Sequence, residues 1–213
     1  MNIDTIHTFI KQVALRKERL GFIIDSDIDL ALDRGQLEEL QDKFKDYGAT
    51  QELHDSLSPF EVAVPFTAAS GGIIALPSDY LHFLGMYTTV SGVRYPVSFK
   101  NKDEVVYAMQ SQVRPPSITK PFAYQNAGAI QLYPEVAQSG LYWYLRRPAT
   151  PNANYTVNST TRVVTYNSGA STQLEWSEAY QSNIISRALV YLGLELDEAG
   201  VMQFAELQKQ ETK

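Results

Sequence analysis

The sequence predicts an α+β protein in which N- and C-terminal helices pack as a helical base and a central antiparallel β region is inserted between them. Apolar residues recur at helical spacing near the N-terminus, and this spacing returns after Trp176. Between these regions, short runs of β-branched and aromatic residues alternate with Gly, Pro, Asn and Ser. We therefore expect a helical domain of 1–58 plus 173–213 and a β-rich domain of 59–172.

Four helices are predicted in the terminal regions. Isoleucines spaced by three or four indicate a first helix over 3–20, and a second stripe of apolar residues indicates another over 27–47, weakened in its middle by Gly35. A third helix follows Trp176. A last helix has Asp197 as its expected N-cap.

The central region predicts nine short strands, with one helical stretch at 102–111. Hairpin turns are expected at "SG", 91–92, and "NAG", 126–128. Three prolines in "RPPSITKP", 114–121, predict an extended connector, because proline cannot continue a central strand. The candidate strands are 60–66, 72–76, 85–90, 93–98, 122–125, 129–133, 140–146, 155–158 and 162–166.

Composition excludes several classes of function. The 213 residues include no cysteine, which rules out disulfides, thiolate zinc sites and cysteine nucleophiles. No apolar run approaches the roughly 18 residues of a membrane span, and the basic residues of the N-terminal segment come late, unlike those of a signal peptide. We therefore expect a cytoplasmic product. The net charge of −6 disfavours tight binding to duplex DNA.

The stretch "ALPSDYLHFLGM", 75–86, contains the residue types of a hydrolase triad in Ser78, Asp79 and His82. Known triads assemble from distant segments, often around a strained turn, and nothing of that kind surrounds Ser78. The alternative is a corner at which Pro77 stops a strand and Ser78 or Asp79 caps a short helical turn. We expect this corner, no enzyme activity, no catalytic residue and no cofactor.

The acidic run "DSDID", 25–29, copies the beginning of a calcium loop. The sixth position is Leu30 where glycine is needed, and the twelfth is Gln36 where a glutamate is needed. The alternative is a helix N-terminus with Ser26 and Asp29 as a capping pair. The three histidines have no zinc-binding spacing, so no metal site is expected.

The strand-like run "LYWYLRRP", 141–148, alternates large aromatic and aliphatic residues and ends in two arginines. Tyr142, Tyr144, Arg146 and Arg147 could form a nucleic-acid-binding module, because aromatic rings stack on bases and guanidinium groups bind phosphate. The alternatives are a half-buried strand with an exposed basic turn, which the acidic balance favours, and a contact with a neighbouring subunit or with a channel.

An ordered series of short motifs runs through nearly the whole chain: "RKERLG", "LSPFEV", "ALPSDYLHFLGM", "IQLYPE", "LYWYLRRPATP" and "LEWSEAYQSNIISRALVYLGLEL". In this order they resemble the head-to-tail connector proteins, also called ring or adaptor proteins, of tailed bacteriophages. They are similar in particular to those of phages and prophages of Bacteroidota, including the crAss-like group.

The resemblance implies a structural virion protein, assembled in the cytoplasm of the host bacterium. It implies a homo-oligomeric ring, expected to be a dodecamer, which lies beneath the portal protein and extends the DNA channel. The terminal helical regions would dock on the portal, and the β region would face the next tail or ring protein. Genomic DNA would pass through without specific binding, since a negative lumen repels phosphates. No membrane partner is implied.

Overall fold

A computed structural model of the chain confirms the α+β class and divides the chain into two compact units. The helical unit comprises Met1–Pro59 and Pro148–Lys213, and the β-rich unit comprises Phe60–Arg147. The segment 148–172 thus lies in the helical unit, whereas the sequence placed it with the β-rich domain. The structure describes residues 1–16, 23–48, 50–111, 115–126 and 128–194.

The described residues contain five α-helices and ten strands. The helices are α1 (Ile3–Arg16), α2 (Asp25–Lys45), α3 (Gln51–Leu57), α4 (Lys102–Gln110) and α5 (Glu178–Tyr191). The strands are β1 (Glu61–Ala68), β2 (Ile73–Ala75), β3 (Tyr80–Val90), β4 (Val93–Pro96), β5 (Ser98–Phe99), β6 (Phe122–Asn126), β7 (Ala129–Tyr133), β8 (Gln138–Arg146), β9 (Tyr155–Val157) and β10 (Val164–Tyr166).

The helix predictions hold for α1, α2, α4 and α5, although residues 17–20 of the predicted first helix and the predicted N-cap Asp197 lie outside the described residues. The short helix α3 was missed. The predicted capping pair Ser26 and Asp29 is wrong, because α2 begins at Asp25 and the backbone N–H of Ile24 donates to Asp27 Oδ2 at 3.3 Å.

In the helical unit, α2 and α5 approach closely at Gly35. A Cβ atom at this position would lie 2.9 Å from the backbone oxygen of Ile184, so only glycine fits without a shift of α5. The helix α2 continues unbroken through Gly35. This residue therefore permits the packing of two helices, and the expectation that it only weakens α2 is incomplete. The aliphatic core of the unit includes Ile6, Ile10, Leu32, Leu40, Ile184 and Leu189.

The β-rich unit contains two four-stranded sheets, with strand orders β1-β8-β3-β4 and β2-β7-β6-β5. The first is antiparallel throughout, and its central strand β8 pairs with β1 and β3. In the second, β5 and β6 run parallel and α4 connects them, as a parallel pair requires. Its other pairs are antiparallel. One core cluster joins buried residues of both sheets: Phe66, Ala68, Ile74, Met86, Ala123, Ile130, Leu132, Tyr142 and Tyr144.

The strand predictions are right in position except at the corner before β3 and at 93–98, where the predicted single strand is two strands, β4 and β5, in different sheets. The sequence places a short helical turn after Pro77, but Tyr80 already begins β3, whose pairing with β8 shifts register before His82 and before Gly85. The predicted hairpin turn at 91–92 is confirmed by the pairing of Val90 with Val93. The last two predicted strands form the β9–β10 hairpin of the helical unit.

Candidate interaction surface

The residues of the possible triad lie in a turn and in the strand that follows it. The backbone N–H of Tyr80 donates to Pro77 O at 3.2 Å, closing the turn that holds Ser78 and Asp79. Asp79 Oδ1 accepts a hydrogen bond from the Tyr144 hydroxyl at 3.0 Å. Burial lowers the pKa of His82, which lies on β3. The carboxylate of Asp79 thus contacts a core tyrosine, which is a structural role.

Two of the four residues singled out on β8 belong to the core. The side chains of Tyr142 and Tyr144 are 2% and 3% exposed, and their ring centres lie 5.8 Å apart. Burial, together with the hydrogen bond to Asp79, raises the pKa of Tyr144 to about 12, so its hydroxyl stays neutral. Base stacking needs open ring faces, so this geometry opposes the nucleic-acid interpretation.

The opposite face of β8 presents an aromatic surface that the sequence analysis missed. Trp143 is 36% exposed, and its ring centre lies 5.5 Å from that of Tyr87 on β3. The guanidinium of Arg94, on β4, lies 4.8 Å from the centre of the Tyr87 ring, close enough for a cation–π contact. We call Trp143, Tyr87 and Arg94 the outer aromatic face. Aromatic and arginine side chains are enriched at protein interfaces.

The two arginines at the end of β8 differ in their contacts. The Arg146 guanidinium lies 5.6 Å from the centre of the Phe60 ring, and its Nη1 donates to the carbonyl of Arg147 at 3.4 Å. The backbone N–H of Arg147 donates to Asp79 O at 2.7 Å, while its side chain is exposed. This backbone hydrogen bond therefore joins the turn before β3 to the end of β8.

The acidic run at the start of α2 is part of a buried polar network in the helical unit. His7, fully buried on α1, contacts Asp29 Oδ1 through Nε2 at 2.9 Å and Asp25 Oδ1 through Nδ1 at 3.3 Å. Asp29 also accepts from the backbone N–H of Ala153 at 3.1 Å. Lys11 Nζ lies 2.5 Å from Asp25. These carboxylates link α1, α2 and the 152–155 segment.

The described ranges lack both a metal-binding cluster and a membrane-spanning helix. Among these residues, no group of three His, Cys, Asp or Glu side chains has the geometry to hold a metal ion. Over the same ranges, no helix is both long enough and apolar enough to cross a bilayer.

The formal charge differs in sign between the two units. The sequence of the β-rich unit has seven basic and five acidic residues, a charge of +2, whereas the sequence of the helical unit has eleven basic and nineteen acidic residues, a charge of −8. The net charge of −6 is therefore the sum of a strongly acidic helical unit and a weakly basic β-rich unit. Complementary charges steer association between protein surfaces.

The outer aromatic face and the opposite charges of the two units are typical of a protein that acts through contacts with other proteins. The profile of the SU10 adaptor protein family matches residues 10–212, nearly the whole chain. The chain therefore belongs to the SU10 adaptor protein family and is a structural adaptor protein of a phage virion. No curated protein matches the chain.

Proposed function

We propose that this adaptor forms a ring in the head-to-tail connector of a tailed phage, where it joins the capsid portal to the tail and extends the DNA channel. The observation that carries the proposal is the family match over residues 10–212. The ordered motifs of the sequence, which resemble connector proteins along the same length, agree with it. We further propose twelve copies in the ring and a host among the Bacteroidota.

The charge distribution supports passage of DNA without specific binding. The helical unit carries a formal charge of −8, and a surface of this sign repels phosphates. The basic β-rich unit has the opposite charge and suits protein contacts. In our proposal the helical unit docks on the portal, and the β-rich unit contacts the next tail or ring protein.

We place contacts between neighbouring copies on the outer aromatic face and at the end of β8. Arg146 and Arg147 keep the interface role expected from the sequence, and the outer aromatic face adds Trp143 as a large apolar anchor. Tyr142 and Tyr144 support this surface from the core side of the same strand. Arginine and tryptophan at the centre of an interface contribute a large share of binding energy.

The test is native mass spectrometry and electron microscopy of the chain alone and with its matching portal. We expect a twelve-copy ring on the portal, with DNA-sized space along its axis. Substituting Arg147→Glu should reduce the fraction of chains in rings, whereas Arg162→Glu, on the exposed β9–β10 hairpin, should leave it unchanged. Chains that stay monomeric with the portal, together with virions that lack a ring, would contradict the proposal.

A further inference from the structure

The helix α4 of the β-rich unit has little packing of its own. Val105 is its one fully buried residue, while Val106, Tyr107 and Met109 are 53%, 75% and 51% exposed. A helix of nine residues is marginal in water unless tertiary packing supports it. An apolar surface on so short a helix therefore points to a binding partner.

A groove of about 630 Å³ lies beside α4, next to the edge strand β5 and the 115–121 connector. Its apolar lining includes Tyr107, Pro115, Pro116 and Phe122. Two backbone hydrogen bonds lie beneath it. Ser98 N donates to Pro121 O at 3.1 Å, and Lys100 N donates to Ala123 O at 2.8 Å. The connector and the β5–β6 pair thus give the groove a hydrogen-bonded base.

The charges of the groove favour an acidic ligand. Among the described residues that line it, two lysines, Lys100 and Lys120, stand against one carboxylate, that of Glu104, in a unit whose overall charge is +2. A second groove, of about 570 Å³, lies in the strongly acidic helical unit, and its described lining contains one acidic and one basic residue, Asp27 and Arg34. Of the two, the α4 groove is the one that complements negative charge.

The chain itself contains a segment with the matching chemistry. Residues 195–213 include five acidic and two basic residues, and Val201, Phe204 and Ala205 have the spacing of one helix face. The segment follows Leu194, a buried residue of the helical unit. As a helix, nineteen residues would span about 28 Å, roughly the diameter of a small domain.

We propose that the α4 groove of each copy binds residues 195–213 of a neighbouring copy, with the apolar face on Tyr107 and the acidic side chains near Lys100 and Lys120. This inference rests on the proposed ring, which brings copies side by side. The segment would then link adjacent subunits, and portal docking would fall to α1, α2 and α5.

The first test is fluorescence anisotropy with a labelled peptide of residues 195–213 and the full-length chain. We expect saturable binding that weakens as salt rises, because part of the attraction is between charges near the surface. Lys120→Glu and Tyr107→Ser should each weaken binding about tenfold. The matched controls Lys45→Glu and Val157→Ser, both at exposed sites of the helical unit, should bind as the parent does. Equal binding by all four variants, or binding of a scrambled peptide, would overturn the proposal.

The second test uses the absence of cysteine in the natural chain. A Tyr107→Cys chain mixed with a Phe204→Cys chain and oxidised should give a disulfide-linked dimer, and a mixture of Val157→Cys with Phe204→Cys should give far less. No excess over this control would overturn the proposal. So would a chain carrying both Tyr107→Cys and Phe204→Cys that closes only on itself, because the segment would then occupy its own groove. Since rings are counted separately by native mass spectrometry, failure here leaves the proposed connector function standing.

Discussion

The two units are stabilised in different ways. The helical unit combines an aliphatic core with buried polar groups, among them His7, Asp29 and Gln36. On its surface, Arg187 of α5 contacts three acidic groups of α2 within 3.1 Å. The β-rich unit has stacked aromatic residues in its core, including Tyr142 and Tyr144. Polar contacts fix which helices pair, because a buried polar group needs its particular partner. Aromatic packing tolerates change in partner but depends on volume.

The two tryptophans allow the units to be compared separately. Trp176 lies in the helical unit and Trp143 in the β-rich unit, and the chain has no other tryptophan. A Trp143→Phe chain therefore reports unfolding of the helical unit by fluorescence, and a Trp176→Phe chain reports the β-rich unit. Urea titrations of these two parents provide the reference for the stability predictions below.

The largest expected effect is at Gly140, the third residue of β8. A Cβ atom there would overlap the backbone oxygen of Tyr87 and press on the Cα of Thr88, both on β3. Because the obstacle is backbone, no rotamer change relieves it, and Gly140→Ala should lower the free energy of unfolding of the β-rich unit by about 4 kcal/mol. The Trp143 signal in urea measures this loss.

A control must show that the effect of Gly140→Ala is confined to the β-rich unit. In the Trp143→Phe parent, Gly140→Ala should leave the urea midpoint reported by Trp176 unchanged. If Gly140→Ala lowers the urea midpoint reported by Trp176 as well as the one reported by Trp143, the two units unfold together. Their stabilities could then not be compared separately.

The second effect tests which face of β8 carries the core. Tyr142→Ala removes a large buried ring and should cost the β-rich unit about 3 kcal/mol. Ser139→Ala, at an exposed position of the same strand, should change stability by less than about 0.5 kcal/mol. Urea unfolding followed through Trp143 gives both values. Similar small losses would mean that Tyr142 is not a core residue and would reopen its role as a contact.

This strand also shows how far sequence reasoning reaches. Strand positions follow from local alternation and turn residues, so nearly all were predictable. The inward face of β8 was not, because Tyr142 and Tyr144 alternate with Leu141 and Trp143 and both sets are apolar. Burial of one set depends on the neighbouring sheet, which no local pattern encodes. The outer aromatic face was missed for this reason.

Long-range polar contacts could not be predicted from the sequence for the same reason. His7 appeared as an isolated histidine, and Asp25 and Asp29 as part of a false calcium loop. The structure joins them across 18 and 22 positions of the chain. The α4 groove also needed the structure, since the parallel β5–β6 pair that forms its base is not visible in the pattern of short strands.

The third effect is at the close approach of α2 and α5. Gly35→Ala gains up to about 1 kcal/mol of helix propensity, but its Cβ would lie 2.9 Å from Ile184 O and push α5 away. We expect a net loss of about 2 kcal/mol in the free energy of unfolding of the helical unit, followed through Trp176. The control Gly169→Ala has its nearest contact at 3.7 Å, with a side chain, and should be nearly neutral. A stabilised Gly35→Ala chain would show that α5 moves freely and that the helix pair is loosely packed.

The smallest effect concerns pH and also belongs to the helical unit. Burial acts to raise the pKa of Asp25, but hydrogen bonds from Lys11 and His7 outweigh it and hold the pKa below the ordinary value of 3.8. A lowered pKa in the folded state means that the ionised carboxylate stabilises the fold above the unfolded-state value, and that this contribution is lost as pH falls through the lowered pKa. Lys11→Met should therefore raise the midpoint of the Asp25 carboxyl titration measured by NMR, and should reduce the loss of stability of the helical unit on acidification.

Lys45→Met, which removes a partner of Asp42 instead, should leave the Asp25 midpoint in place. An unchanged midpoint in Lys11→Met would assign the lowered pKa to His7 alone, and the network at the start of α2 would then depend on the histidine rather than on the lysine.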